Sequence, residues 1–307
     1  MKIEKIKNYN QKILVILGTI TIIIGIVFIL KTIKETEDVG ESLNVFAFRK
    51  PDSRYFKNYN PMSIRNSIVT RDLIKFQEYK DSVKGRLTKI TDNKKQLQRI
   101  IDRNKLQDTI KDKYEKRINE YEKRIGILEK TIINFDILES SVCKFKLNPI
   151  DSSSGNLTYD QNENVVSINY IRNNIPNFVH EMTHAYQFLK GGIAFTKNSE
   201  KPFAIDLFDE VSAYKAQYAY DPISVIKEIL SDSIVNNLID IDTSWVRGIR
   251  DPIKKNHLYH KTHYAIKNIN INTPVKELDD AYPKINYDSL KLKHLYMGII
   301  TYENCKR

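Results

Sequence analysis

The stretch FVHEMTHAYQF, residues 178–188, sets two histidines and a glutamate inside an apolar run. Its flanks predict a helix of about fifteen residues, because Pro176 suits a first turn that makes no use of the missing N–H, and Gly191-Gly192 supplies a stop. At about 100° per residue, Ile175, Val179, Met182, Tyr186 and Leu189 form one stripe. His180, His184 and Gln187 form a second stripe on nearly the opposite side. The apolar stripe can then bury in a core while both imidazoles face a different space. Side chains at i and i+4 lie one turn apart, so both ring nitrogens reach one ion at about 2.0–2.1 Å, as zinc requires. Glu181 lies beside them, placed to take a proton from water rather than to bind the ion.

A zinc-activated water needs three protein ligands beneath it, and two histidines are not enough. The third is sought in FAIDLFDEVSAYKAQY, residues 203–218, a second helix-like stretch. Asp206, Glu210, Tyr214 and Gln217 share a stripe at the edge of its apolar side, while Asp209 points away. Glu210 is the expected ligand, with Asp206 in reserve.

His180-Glu181-x-x-His184 with a downstream Glu210 resembles the zincin metallopeptidases whose third ligand is a glutamate. The strings HEMTHAYQ and DEVSAYKAQ also resemble bacterial zincin-like proteins with HExxHAYQ followed by ExxAY. The resemblance spans about residues 157–220. It implies His180, His184 and Glu210 as zinc ligands, Glu181 as general base, and the strand before the helix as the edge that binds an extended peptide. Gln187 and Lys190 stand where the metzincin branch needs a glycine and a third histidine, which excludes that branch. Tyr214 stands four residues after Glu210, where an aspartate is usual. It is a candidate donor to the oxyanion. NHLYHKTHY, with His257, Tyr259, His260 and His263, is a second source of such a donor, or a loop of surface histidines.

Upstream of the helix, LTY and VVSIN alternate in polarity around the polar DQNEN and predict a hairpin. Further back, residues 62–147 hold no proline and only Gly85 and Gly126. Ile110, Tyr114, Ile118, Tyr121, Ile125, Leu128 and Ile132 make a near-heptad seam there. Val83, Leu87, Ile90, Leu97 and Ile101 make another in a shifted register, read as a stutter or as two helices folded into a hairpin. Such a coiled-coil region offers a surface for self-association, or packs on the rest of the chain.

Residues 13–30, ILVILGTITIIIGIVFIL, carry no charge between Lys12 and Lys31 and are long enough for a transmembrane helix. No A-x-A cleavage pattern follows, so an uncleaved anchor is expected. Lys2, Lys5, Lys7 and Lys12 before the span outnumber Lys31 and Lys34 after it, which places the C-terminal part outside the cytoplasm. The organisation expected is thus a cytoplasmic tail (1–12), an anchor (13–30), a linker (31–61), a helical region (62–147) and a zincin-like domain (148–307). The fold class is α+β, mostly helical.

The net charge of +11 is spread among acidic residues, and no compact nucleic-acid motif accompanies it, so no specific nucleic acid is expected as partner. Cys143 and Cys305 are the only cysteines, either bridged or free. The function expected is a membrane-anchored, single-pass zinc metallopeptidase acting on a peptide or protein substrate. The alternatives are a non-catalytic tethered binding protein and a zincin-type toxin or effector.

Overall fold

The computed structural model of the chain describes residues 68, 72–196, 202–258, 272–274 and 299–306. Two long helices, α1 (Leu73–Arg103) and α2 (Asp108–Glu139), fold back on each other across residues 104–107. The slip in the apolar register is therefore the turn of a hairpin rather than a stutter. Opposite charges fix its antiparallel alignment: Lys94 pairs with Glu122 at 2.7 Å, and Lys80, buried at the inner end, pairs with Glu139 at 2.7 Å. The seam of α2 is real, but it continues through Phe135 and Leu138 into the protein core, while Ile110 at its far end is exposed. The inner half of the hairpin is thus a wall of the core.

Three strands follow, β1 (Lys144–Ile150), β2 (Asn156–Asp160) and β3 (Val165–Ile171). The expected hairpin is β2–β3, turning through Asn164 in a left-handed conformation (φ 52°). β1 lies parallel to β3 on its other side, so the strand preceding the helix of the two histidines is the middle of the sheet and not its edge. This corrects the expected placement of a peptide-binding edge. Residues 144–147, assigned above to the helical region, are also sheet. Their alternation buries Phe145 and Leu147 beside Val166 and Ile168, and the register completes two apolar rows with Tyr159 and Leu157. Pro149 is tolerated in β1, outside the central strand.

Helix α3 (Ile175–Leu189) carries HEMTH and begins and ends as expected, with Asn174 as N-cap and proline in its first turn. The two-faced picture of it needs correction. Every residue from Phe178 to Ala185 is buried, because the hairpin and sheet cover one side while a later helix covers the histidine side. Phe178 sits in an aromatic cluster, edge-on to Tyr79 at 4.7 Å and to Tyr170 at 5.2 Å. That covering helix is α4 (Leu207–Tyr220), reached through the short antiparallel pair β4 (Ala194–Thr196) and β5 (Pro202–Ala204).

α4 is packed on two sides. Ala216, Ala219 and Tyr220 join the main core, whereas Leu207, Tyr214 and Tyr218 join a second cluster centred on Trp245. That cluster is closed by the short helices α5 (Pro222–Ile226) and α6 (Thr243–Arg247). The buried guanidinium of Arg124 on α2 donates twice to the Ala219 carbonyl, satisfying a group left over at the C-terminal end of α4.

The chain end returns as β6 (Ile299–Ile300), paired with β4, and Cys305 is bonded to Cys143 at the mouth of β1. The two cysteines are a bridge, not free thiols.

The expectation of a membrane-spanning helix, and with it a single-pass membrane location, is corrected. Among the described residues no helix is long and apolar enough to cross a membrane. Both helices long enough to span carry charge along their length, with many Lys, Arg, Asp and Glu exposed. The run 13–30, its tail and its linker lie outside the described residues.

Candidate metal centre

α3 and α4 bring three side chains to one point. His180 Nε2 and His184 Nε2 lie 3.1 Å apart, and Glu210 Oε2 lies 3.5 Å from the first and 3.7 Å from the second. All three residues are buried, and their ligand atoms lie within 4.8 Å of one another. Three atoms about 2.0–2.1 Å from a tetrahedral ion stand roughly 3.3 Å apart, so this triangle has the dimensions of one face of such a site. Glu210 Oε2 has no hydrogen-bond donor although it is buried, and an unsatisfied buried carboxylate oxygen is costly unless a cation occupies the space it faces. The group His180, His184 and Glu210 can hold a metal ion.

Glu210 sits in the first turns of α4, where the N-terminal dipole favours an anion. Asp206, the reserve ligand, is committed elsewhere: its Oδ1 accepts from Phe208 N at 2.7 Å and Asp209 N at 2.9 Å as the N-cap. Asp209 completes the box by accepting from Asp206 N, and burial beside Asp206 pushes its carboxyl up to about 7. Two acids of the stretch thus build the helix start that presents the third.

Electrostatics follow from the shared burial. Burial pushes the His184 imidazole down, but the Glu210 carboxylate against it prevails and its pKa rises to about 9. Burial likewise acts to raise Glu210, and the His184 and His180 rings overcome it, holding its carboxyl well below the usual range. Without a metal, a proton on His184 therefore fills the cationic role. Glu181 faces the same space with its pKa raised, chiefly by burial.

Glu181 is held from two sides, by Asn177 and by Gly155, neither of them part of the motif. Asn177, one turn earlier, donates from Nδ2 to Glu181 Oε1 at 3.3 Å while its Oδ1 accepts from Ile171 N at 2.7 Å, tying the helix to the end of β3. Gly155 lies against the carboxylate so closely that a Cβ there would stand 2.5 Å from Glu181 Oε1. The i,i+4 spacing of Asn177 and Glu181 was a readable signal, whereas nothing local marks Gly155.

Tyr214 stacks edge-on against the His180 ring at 4.5 Å, with Trp245 edge-on behind it at 5.2 Å, so it braces that imidazole. His257 is away from this chemistry, paired with Asp232 at 2.9 Å on the surface, and Tyr259, His260 and His263 lie outside the described residues. No protein-family model, curated protein or solved structure matches the chain.

Proposed function

We propose that this protein is a zinc-dependent peptidase of the zincin type, with His180, His184 and Glu210 as zinc ligands and Glu181 as general base. The observation that carries the reading is the buried triangle of two imidazole nitrogens and one carboxylate oxygen, at 3.1, 3.5 and 3.7 Å. Two histidines and a glutamate are a borderline-soft donor set suited to zinc, and three protein ligands leave the fourth position open, as a catalytic site requires. A bound zinc would supply Lewis acidity, lowering the pKa of water in that position and polarising a peptide carbonyl.

The chain's own groups do the rest. Glu181, adjacent in sequence to one ligand, accepts the proton of the attacking water and returns it to the leaving amine. Burial, which raises its pKa, suits a carboxylate that must hold a proton between two steps. Asn177 keeps one carboxylate oxygen in place. Tyr214, on the stripe of Glu210, is the proposed oxyanion donor, to be tested as Tyr214→Phe.

Metal analysis of the purified protein tests the centre: one zinc per chain is expected, with Glu210→Ala and His184→Ala each losing it. Glu181→Gln should keep the zinc and lose cleavage of a mixed peptide library. Persistent cleavage by that variant would remove Glu181 as the base. A second reading, a zinc site that stiffens a binding protein, is favoured by the burial of Glu181, only 3% exposed. Zinc loading without hydrolysis of any peptide in the library would select it.

A further inference from the structure

Gln187 is the residue that decides which nitrogen His184 offers to a metal. It lies one turn beyond His184 on α3, and its Oε1 is 2.7 Å from His184 Nδ1. Its Nε2 donates to the backbone carbonyl of Asp209 at 2.9 Å. That carbonyl can only accept, so the amide must turn its NH2 towards Asp209 and its oxygen towards His184. An amide oxygen can only accept as well, so His184 Nδ1 must carry a proton and donate it. The lone pair of the neutral ring is then confined to Nε2, the atom that faces His180 Nε2 and Glu210 Oε2.

The contrast with His180 sharpens the assignment. His180 Nδ1 is buried without a hydrogen-bond partner, and its ring is braced edge-on by Tyr214 and by the His184 ring. A hydrogen-bond relay therefore fixes the tautomer of His184, whereas packing fixes only the ring position of His180. The relay also has a second end. Asp209 immediately precedes Glu210, so one amide joins the helix of the histidines to the residue before the glutamate at the height of the metal group.

We infer that Gln187 is a positioning residue: it holds His184 in the Nδ1–H tautomer and sets α3 and α4 in the alignment that lets His184 and Glu210 share one ion. This rests on the zinc reading above. Because Gln187 is neutral, Glu210 remains the single anion among the ligands and their hydrogen-bond relay, which keeps the centre a stronger Lewis acid than a carboxylate behind His184 would.

The test uses the full chain loaded with zinc and 15N-labelled at histidine. His184 should show a metal-bound Nε2 and a protonated Nδ1 whose proton exchanges slowly. Gln187→Met, of similar volume but unable to accept from the imidazole, should weaken zinc binding by about 10–100-fold and lose the protected proton. Gln187→Glu keeps an acceptor towards His184 but loses the donor to the Asp209 carbonyl, so it should keep the protected Nδ1 proton and bind zinc more tightly than Gln187→Met, though less tightly than the unsubstituted protein. Coordination of His184 through Nδ1 would overturn the inference even if no variant folds. So would undiminished affinity in Gln187→Met, or equal losses in both variants. Absence of zinc from the unsubstituted protein would instead overturn the zinc reading itself, and this inference with it.

Discussion

A Cβ at Gly155 would stand 2.5 Å from Glu181 Oε1 and 2.6 Å from the Asn169 carbonyl, and the second of these contacts is backbone that has no easy way to yield. Gly155→Ala must displace the carboxylate, the strand or both. None of the three nearest atoms it meets belongs to His180, His184 or Glu210. The expected result is a zinc content unchanged by mass analysis with hydrolysis reduced by about 100-fold, the scale of loss that follows a misplaced catalytic group. His184 carries a second residue-scale consequence. Its folded pKa of about 9 lies above the unfolded value of 6.5, so its ion pair with Glu210 stabilises the metal-free fold fully below pH 6.5, and that stability is lost as pH rises through 9. Thermal unfolding in chelator should therefore fall steeply between pH 7 and 9.5. With zinc in the place of the proton, the same scan should be nearly flat or rise.

At the scale of elements, the start of α4 decides whether Glu210 arrives. Asp206 and Asp209 cap that helix reciprocally, so Asp206→Ala should cost about 1–2 kcal/mol in urea unfolding yet leave zinc stoichiometry intact. Loss of zinc in Asp206→Ala with retention in Glu210→Ala would exchange the roles of the two acids. The elements were legible to different degrees. α3 was readable to its ends, because Pro176 and Gly191 act through local backbone preferences that tertiary contacts did not override. The β2–β3 hairpin was readable from alternation around a polar turn. β1 was not, although KFKLNPI alternates too, since its charges extend those of the preceding helix and Pro149 reads as a loop. Only the pairing with β3 makes a strand of it.

For the whole molecule, the link between distant parts of the chain is the Cys143–Cys305 bridge, which closes a sequence separation of 162 residues. A cross-link of that span restricts the unfolded chain strongly, and its removal in Cys305→Ser should cost about 3–5 kcal/mol in denaturant unfolding. Zinc stoichiometry should survive in the folded fraction, because the bridge joins the start of β1 to Cys305, and His180, His184 and Glu210 are held by α3 and α4. The aromatic cluster around Phe178 has the opposite reach. It fixes the helix that bears both histidines against the hairpin and the sheet, so Phe178→Ala should destabilise by about 3–5 kcal/mol and loosen the site together with the core.

By itself the sequence determined the helix of the two histidines, its glutamate, the candidate third ligand and the hairpin before it. Each of these is written in spacing or in backbone preference over a few residues. It also contained the apolar seams of α1 and α2, but a seam states only that a face is to be covered, not by what. Tertiary structure alone decided that the two seams face each other and that α3 and α4 complete their cover, and that β3 is central. It also decided that the histidine face of α3 is enclosed by α4. The hydrogen bonds from Gln187 to Asp209 and from Asn177 to Ile171, and the contact of Gly155 with Glu181, depend on atoms from separate elements meeting within a few ångströms. No periodicity along one segment encodes such a meeting, which is why the three residues of the candidate centre could be picked from the sequence while the groups that hold them in place could not.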